Sequence, residues 1–139
     1  DRIIFICMAI DEAASIHELS IRPLRSLLGA TGVFYYTWII PGIFFVVIVL
    51  IIYARFIIML PSKTRLFFII GGTIFISGAI GVEMLGGLYR VMYDTRDALT
   101  YGILTTIEEI LEISGIILFI YGLMDYVRSW GTIIQIDFQ

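Results

Sequence analysis

The chain has 139 residues, 60% hydrophobic and 15% charged, with a mean hydropathy of +1.00. That composition lies outside the range of soluble globular domains and suits a bilayer. A net charge of −3 without any lysine- or arginine-rich run argues against nucleic acid as a partner, and a single cysteine, Cys7, excludes an intrachain disulfide and a cysteine-based metal cluster.

The chain opens "DRIIFICMAI", without an initiator Met and without the pattern of a signal peptide. This fits a mature product as well as a stretch of a longer protein. Residues 3–21 are apolar at first and then read "DEAASIHELS"; they are predicted to form a first span, with Cys7 as a small apolar helix residue. Next comes "IRPLRSLLGATG", where Ile21, Leu24, Leu27 and Leu28 fall on one side of a short helix and Arg22 and Arg25 fall elsewhere. That pattern predicts an amphipathic piece lying at the membrane surface.

The second span is predicted over 39–60, with Arg55 near its end. The preceding "VFYYTW" either extends this helix through a kink at Pro41 or forms an aromatic segment at the interface. After the polar turn "PSKTR", residues 66–93 form a third span and residues 101–130 a fourth, longer than a bilayer core requires. The tail "GTIIQIDFQ" alternates loosely, a weak strand signal. Nothing resembles a polar linker, so residues 1–139 are read as one domain, an all-α integral membrane four-helix bundle with a short interfacial segment between its first two helices. Lysines and arginines divide almost evenly between the two faces, so the positive-inside rule does not orient it.

Charged residues inside these spans carry the functional signal. In an up-down-up-down bundle the end of the first helix, the end of the third and the start of the fourth share one membrane face. Glu83 then lies about 15 Å in from that face and Glu108 about 10 Å in, at the same level as Asp11, Glu12, His17 and Glu18. At about 100° per residue, Asp11, Ser15 and Glu18 share a stripe, Glu83 aligns with Gly72, Ala79, Gly86 and Gly87, and Glu108 aligns with Glu112, Gly115 and Gly122. Glu109 flanks the last face with Thr105. Small-residue faces point into a bundle, so the acids are expected inside it. The carboxylates Asp11, Glu12, Glu18, Glu83, Glu108, Glu109 and Glu112 outnumber their nearby cations Arg22, Arg25 and Arg90. Unpaired ions at membrane depth are costly, and adjacent acids raise one another's pKa.

Three readings follow. In the first, Asp11, His17, Glu18, Glu83, Glu108 and Glu112 bind a cation, with Glu12, Glu109, Thr105 and Ser15 in support or handling protons. An oxygen-rich set with one nitrogen suits Fe, Mn, Mg or Ca. The set departs from di-iron bundles, which need a Glu-x-x-His on each of two helices, because the chain has one histidine. In the second, acids at stepped depths form a proton or cation pathway. In the third they pair with Arg22, Arg25, Arg90 or a neighbouring subunit's arginines, and the chain is a non-catalytic accessory subunit of a larger membrane complex. Ser15, Ser77 and Ser114 lack a second histidine or a lysine to activate them, so nucleophilic catalysis is not expected. Tyr35, Tyr36, Trp38, Tyr89, Tyr93, Tyr101, Tyr126 and Trp130 cluster near span ends and read as an interface belt.

The stretches "MAIDEAASIHE", residues 8–18, and "EEILEISGIILFIYGL", residues 108–123, resemble a pattern in uncharacterised multi-pass bacterial membrane proteins. The likeness covers about a fifth of the chain and brings no established activity. It implies that Asp11, Glu12, His17, Glu18, Glu108, Glu109 and Glu112 belong to one shared site.

Overall fold

A computed structural model describes residues 6, 10, 19, 21–93 and 98–136. Among the described residues the regular structure is helical and no strand occurs. Helix α1 spans Ile21–Leu28, so the segment expected to be a short amphipathic helix is one. Gly29 and Gly32 follow at φ of 58° and 66°, angles that a residue without a Cβ adopts freely. A 3-10 turn over Gly32–Phe34 then leads to α2, Ile39–Met59.

Pro41 sits in the first turn of α2, where the N–H it lacks would have had no intrahelical acceptor. The helix therefore starts after Trp38 without a kinked extension through residues 33–38. It ends where Leu60 turns extended, at ψ 149°, the conformation favoured before a proline. One continuous helix then runs from Ser62 to Tyr93 in three parts: α3, Ser62–Ile76; a π-helical stretch, Ser77–Val82; and α4, Glu83–Tyr93. Helix α5 spans Ala98–Ile136.

These helices match the predicted segments 39–60, 66–93 and 101–130 to within a few residues, except that α5 continues well past 130. The strand signal over 131–139 is overturned as far as Ile136. A lone strand there would leave its backbone N–H and C=O groups unpaired, whereas an extended α5 satisfies its own. The predicted first span, 3–21, lies outside the described residues apart from Ile6, Ile10, Leu19 and the start of α1.

Helices α3 and α5 lie antiparallel and nearly touch. A Cβ placed on Gly115 would stand 2.7 Å from the Gly71 carbonyl oxygen and 2.7 Å from the Phe75 nitrogen, and one on Gly71 would stand 2.9 Å from the Gly115 oxygen. Gly122 accepts Phe67 and Phe68 in the same way, at 3.0 Å from each. Close backbone approach through glycine is the usual means by which apolar helices gain van der Waals contact without a hydrophobic driving force between them. At one end of this pair the buried Thr64 hydroxyl donates to Asp125 at 2.8 Å, and Lys63 bridges to Asp125 at 3.0 Å.

The small-residue face differs from the predicted one in an instructive way. Gly71 and Gly78 meet α5, whereas nothing lies within 4 Å of a Cβ on Gly72. A π turn takes in one residue more than an α turn, so it shifts the helix face by one residue, about 100°. Uniform α periodicity counted back from Glu83 reaches Ala79 and Gly72. With the π stretch included, the face containing Glu83 and Gly86 continues into Gly78 and Gly71.

Among the described residues the interior is small, with Ile39, Leu60, Phe68, Ile80 and Val82 as its buried hydrophobic side chains, alongside Thr37 and Thr64. Phe56 on α2 meets Phe68 and Tyr126 edge-on, with ring centres 6.4 and 6.2 Å away. Many large apolar side chains of α2 and α5 face outward, among them Phe44, Ile51, Ile58, Ile110 and Ile117. Two helices among the described residues, α2 and the continuous Ser62–Tyr93 helix, are long and apolar enough to cross a membrane.

Candidate functional site

Beyond the Gly71–Gly115 crossing, the π stretch brings α4 against the start of α5. A Cβ on Gly78 would stand 3.0 Å from the Glu108 carbonyl oxygen and 3.2 Å from Cγ of Glu112. Glu108 and Glu112 thus lie on the side of α5 that faces the π stretch, as the alignment with Gly115 and Gly122 predicts. One turn further, Val82, Glu83 and Gly86 face Leu104, Thr105 and Glu108 across a partly open cavity of about 30 Å³ that Tyr36 and Tyr101 also line. Such a space accommodates one water molecule or a single ion.

Two local devices set Glu83 in place. The π stretch turns it onto the face that meets α5, and Trp38 holds it there, the indole Nε1 donating to Oε2 of Glu83. Trp38 reaches it because its ring lies over Gly42, four residues on, where a Cβ would come within 2.9 Å of the indole. The sequence "WIIPG" therefore does two jobs: proline starts α2, and glycine leaves room for the tryptophan.

The segment before α2 is docked in turn. Thr37, fully buried, donates to the Ile21 carbonyl at 2.8 Å, and Gly87 lets the turn approach α4, since a Cβ there would meet Cβ of Tyr35 at 3.1 Å and the Gly32 oxygen at 3.3 Å. Burial pushes the Tyr36 phenol up from its ordinary range, against the opposing pull of the neighbouring Arg90.

Of the predicted site residues, the structure brings Glu83, Glu108 and Thr105 to one cavity and sets Glu112 beside it. Glu109 is exposed and does not line the cavity. Arg25 and Arg90, expected as charge partners, are held by tyrosines: Arg25 donates from Nε and Nη2 to the Tyr35 carbonyl, and Arg90 engages the Tyr36 hydroxyl. Arg22 is exposed on α1. Asp11, Glu12, Ser15, His17 and Glu18 lie outside the described residues. Among the described residues, no three His, Cys, Asp or Glu side chains form a group able to hold a metal ion.

Sequence reasoning placed Tyr36, Trp38 and Tyr101 in an interface belt and missed that they line or brace the cavity. Their position at span ends was the available signal, because those ends share the membrane face near which the acids were expected, and a partly buried phenol or indole seeks a hydrogen-bond partner.

No curated protein and no solved structure matches the chain. The family model described as "Domain of unknown function (DUF8692)" matches residues 3–127, nearly the whole of the glycine-paired helices and all the residues around the cavity, and the chain belongs to that family.

Proposed function

We propose that this protein is a multi-pass integral membrane protein, a four-helix bundle, whose Glu83–Glu108 cavity binds a hard, oxygen-preferring cation. The membrane reading is supported by where the apolar surface lies. None of the most apolar stretch of α2, and 17% of that of the Ser62–Tyr93 helix, is buried within the chain. The core helix of a water-soluble domain buries its apolar side chains, whereas lipid tails solvate outward-facing ones.

The observation that carries the cation reading is that two glutamates, Glu83 of α4 and Glu108 of α5, line one ion-sized cavity together with Tyr36, Tyr101 and Thr105. All five side chains carry oxygen. Oxygen donors suit Mg²⁺, Ca²⁺, Mn²⁺ or Fe²⁺ in preference to Zn²⁺ or Cu²⁺. Further ligands would come from Asp11, His17 and Glu18. A bound ion stabilises the folded state in proportion to the logarithm of its concentration.

The full chain, purified in detergent, is expected to retain about one metal ion per molecule by elemental analysis. Glu83→Gln and Glu108→Gln should lose it, and the exposed Glu109→Gln should keep it. A metal-free wild type whose melting temperature ignores millimolar Mg²⁺, Ca²⁺ and Mn²⁺ overturns the cation reading. A second reading, an accessory subunit of a larger membrane complex, is favoured by the many outward-facing apolar side chains of α2. It predicts co-purification of neighbouring membrane subunits and their loss when Phe44, Ile51 and Ile58 are replaced by alanine.

A further inference from the structure

Positive charge gathers at Tyr35, which Arg25 of α1 and Arg90 of α4 both reach. The Arg25 guanidinium carbon lies 3.7 Å from the centre of the Tyr35 ring, and that of Arg90 lies 4.8 Å from the same centre. The two charges are therefore no farther apart than those distances laid end to end. Like charges so near repel, and neither arginine forms an ion pair among the described residues. Attraction to the ring face offsets part of that repulsion. Arg25 is also fixed by its two bonds to the Tyr35 carbonyl, which leave three of its five N–H donors to offer. Arg22 adds a third charge, exposed on α1.

The surroundings identify the anion. Arg90 lies in the last turn of α4, hence at headgroup level if the Ser62–Tyr93 helix crosses the bilayer. Helix α1 carries Arg22 and Arg25 together with Leu27 and Leu28, which are 80% and 55% exposed. Exposed leucines next to arginines are the pattern of a helix resting on acyl chains with its charges among headgroups. Guanidinium forks match the oxygens of a phosphate.

We propose that Arg25 and Arg90, braced on Tyr35, bind the phosphate of an anionic lipid headgroup, with Arg22 alongside. This rests on the membrane placement above.

The test is native mass spectrometry of the detergent-purified full chain, offered equal amounts of phosphatidylglycerol and phosphatidylcholine. Wild type is expected to retain phosphatidylglycerol in preference. Arg25→Gln combined with Arg90→Gln should lower that retention about tenfold, and Arg55→Gln should leave it unchanged. Wild type that retains both lipids equally overturns the proposal, whether or not the variants fold. Displacement of the lipid by millimolar inorganic phosphate would assign the site to a free oxyanion and overturn the lipid assignment. Alkaline carbonate extraction checks the placement separately. A chain that stays in the membrane yet shows no lipid preference overturns the headgroup site alone, and a chain released to the soluble fraction overturns both.

Discussion

Trp38 and Glu83, 45 positions apart, are joined by a hydrogen bond from the indole Nε1 to Oε2 of the carboxylate. The bond ties the aromatic segment before α2 to the helix that follows the π stretch, so a wall of the cavity is fixed by a residue outside the helix pair. Trp38→Phe keeps an aromatic ring over Gly42 and removes the donor. Thermal denaturation in detergent is expected to show a loss of about 1–2 kcal/mol. An unchanged melting temperature would mean that Trp38 contributes packing alone.

The glycine pairing predicts opposite outcomes at neighbouring positions. Gly115→Ala places a methyl 2.7 Å from backbone atoms of α3, which forces the helices apart and costs about 1–3 kcal/mol. Gly72→Ala enters open space and should be neutral, or stabilising by about 0.5–1 kcal/mol, because alanine favours the helix. Equal effects at the two sites would contradict the packing face described here.

The π stretch makes a prediction about register. Deleting Ala79 removes the one extra residue that the π stretch takes in, so a uniform α-helix then keeps Glu83 on the same face as Gly71. With Gly71 still seated on Gly115, Glu83 should stay within reach of Trp38. A double-mutant cycle measures this: Trp38→Phe should destabilise the deletion variant about as much as the full-length chain. Loss of the effect in the deletion background would show that the π stretch does not set the register of Glu83.

At the far end of the helix pair, Thr64 is fully buried and donates to Asp125, while Lys63 reaches the same carboxylate from solvent. Asp125→Ala leaves the buried hydroxyl without that acceptor, so the melting temperature should fall. Lys63→Ala removes an exposed partner and should leave it nearly unchanged. Melting curves of the two variants, compared at low and high salt, decide between a polar knot and an exposed ion pair as the source of stability.

The amino-acid order alone determined the helices and one face of the last of them. Long apolar runs, the turn at Pro61 and the start at Pro41 place α2, the Ser62–Tyr93 helix and α5 to within a few residues, because length, hydropathy and proline act locally. Glu108, Glu112, Gly115 and Gly122 were legible as one stripe because α5 keeps a uniform period across them. The face of the preceding helix was legible only on the Glu83 side of the π stretch. A π turn has no distinctive composition, and it forms where packing against α5 repays its poorer backbone geometry, so Gly71 and Gly78 replace the expected Gly72 and Ala79. The Trp38 bond to Glu83 and the stacking of Arg25 and Arg90 on Tyr35 depend on segments distant in sequence meeting in space. Those meetings were decided by the close glycine crossings and by the docking of the Gly32–Phe34 turn on Gly87, energies that exist only once the helices have come together.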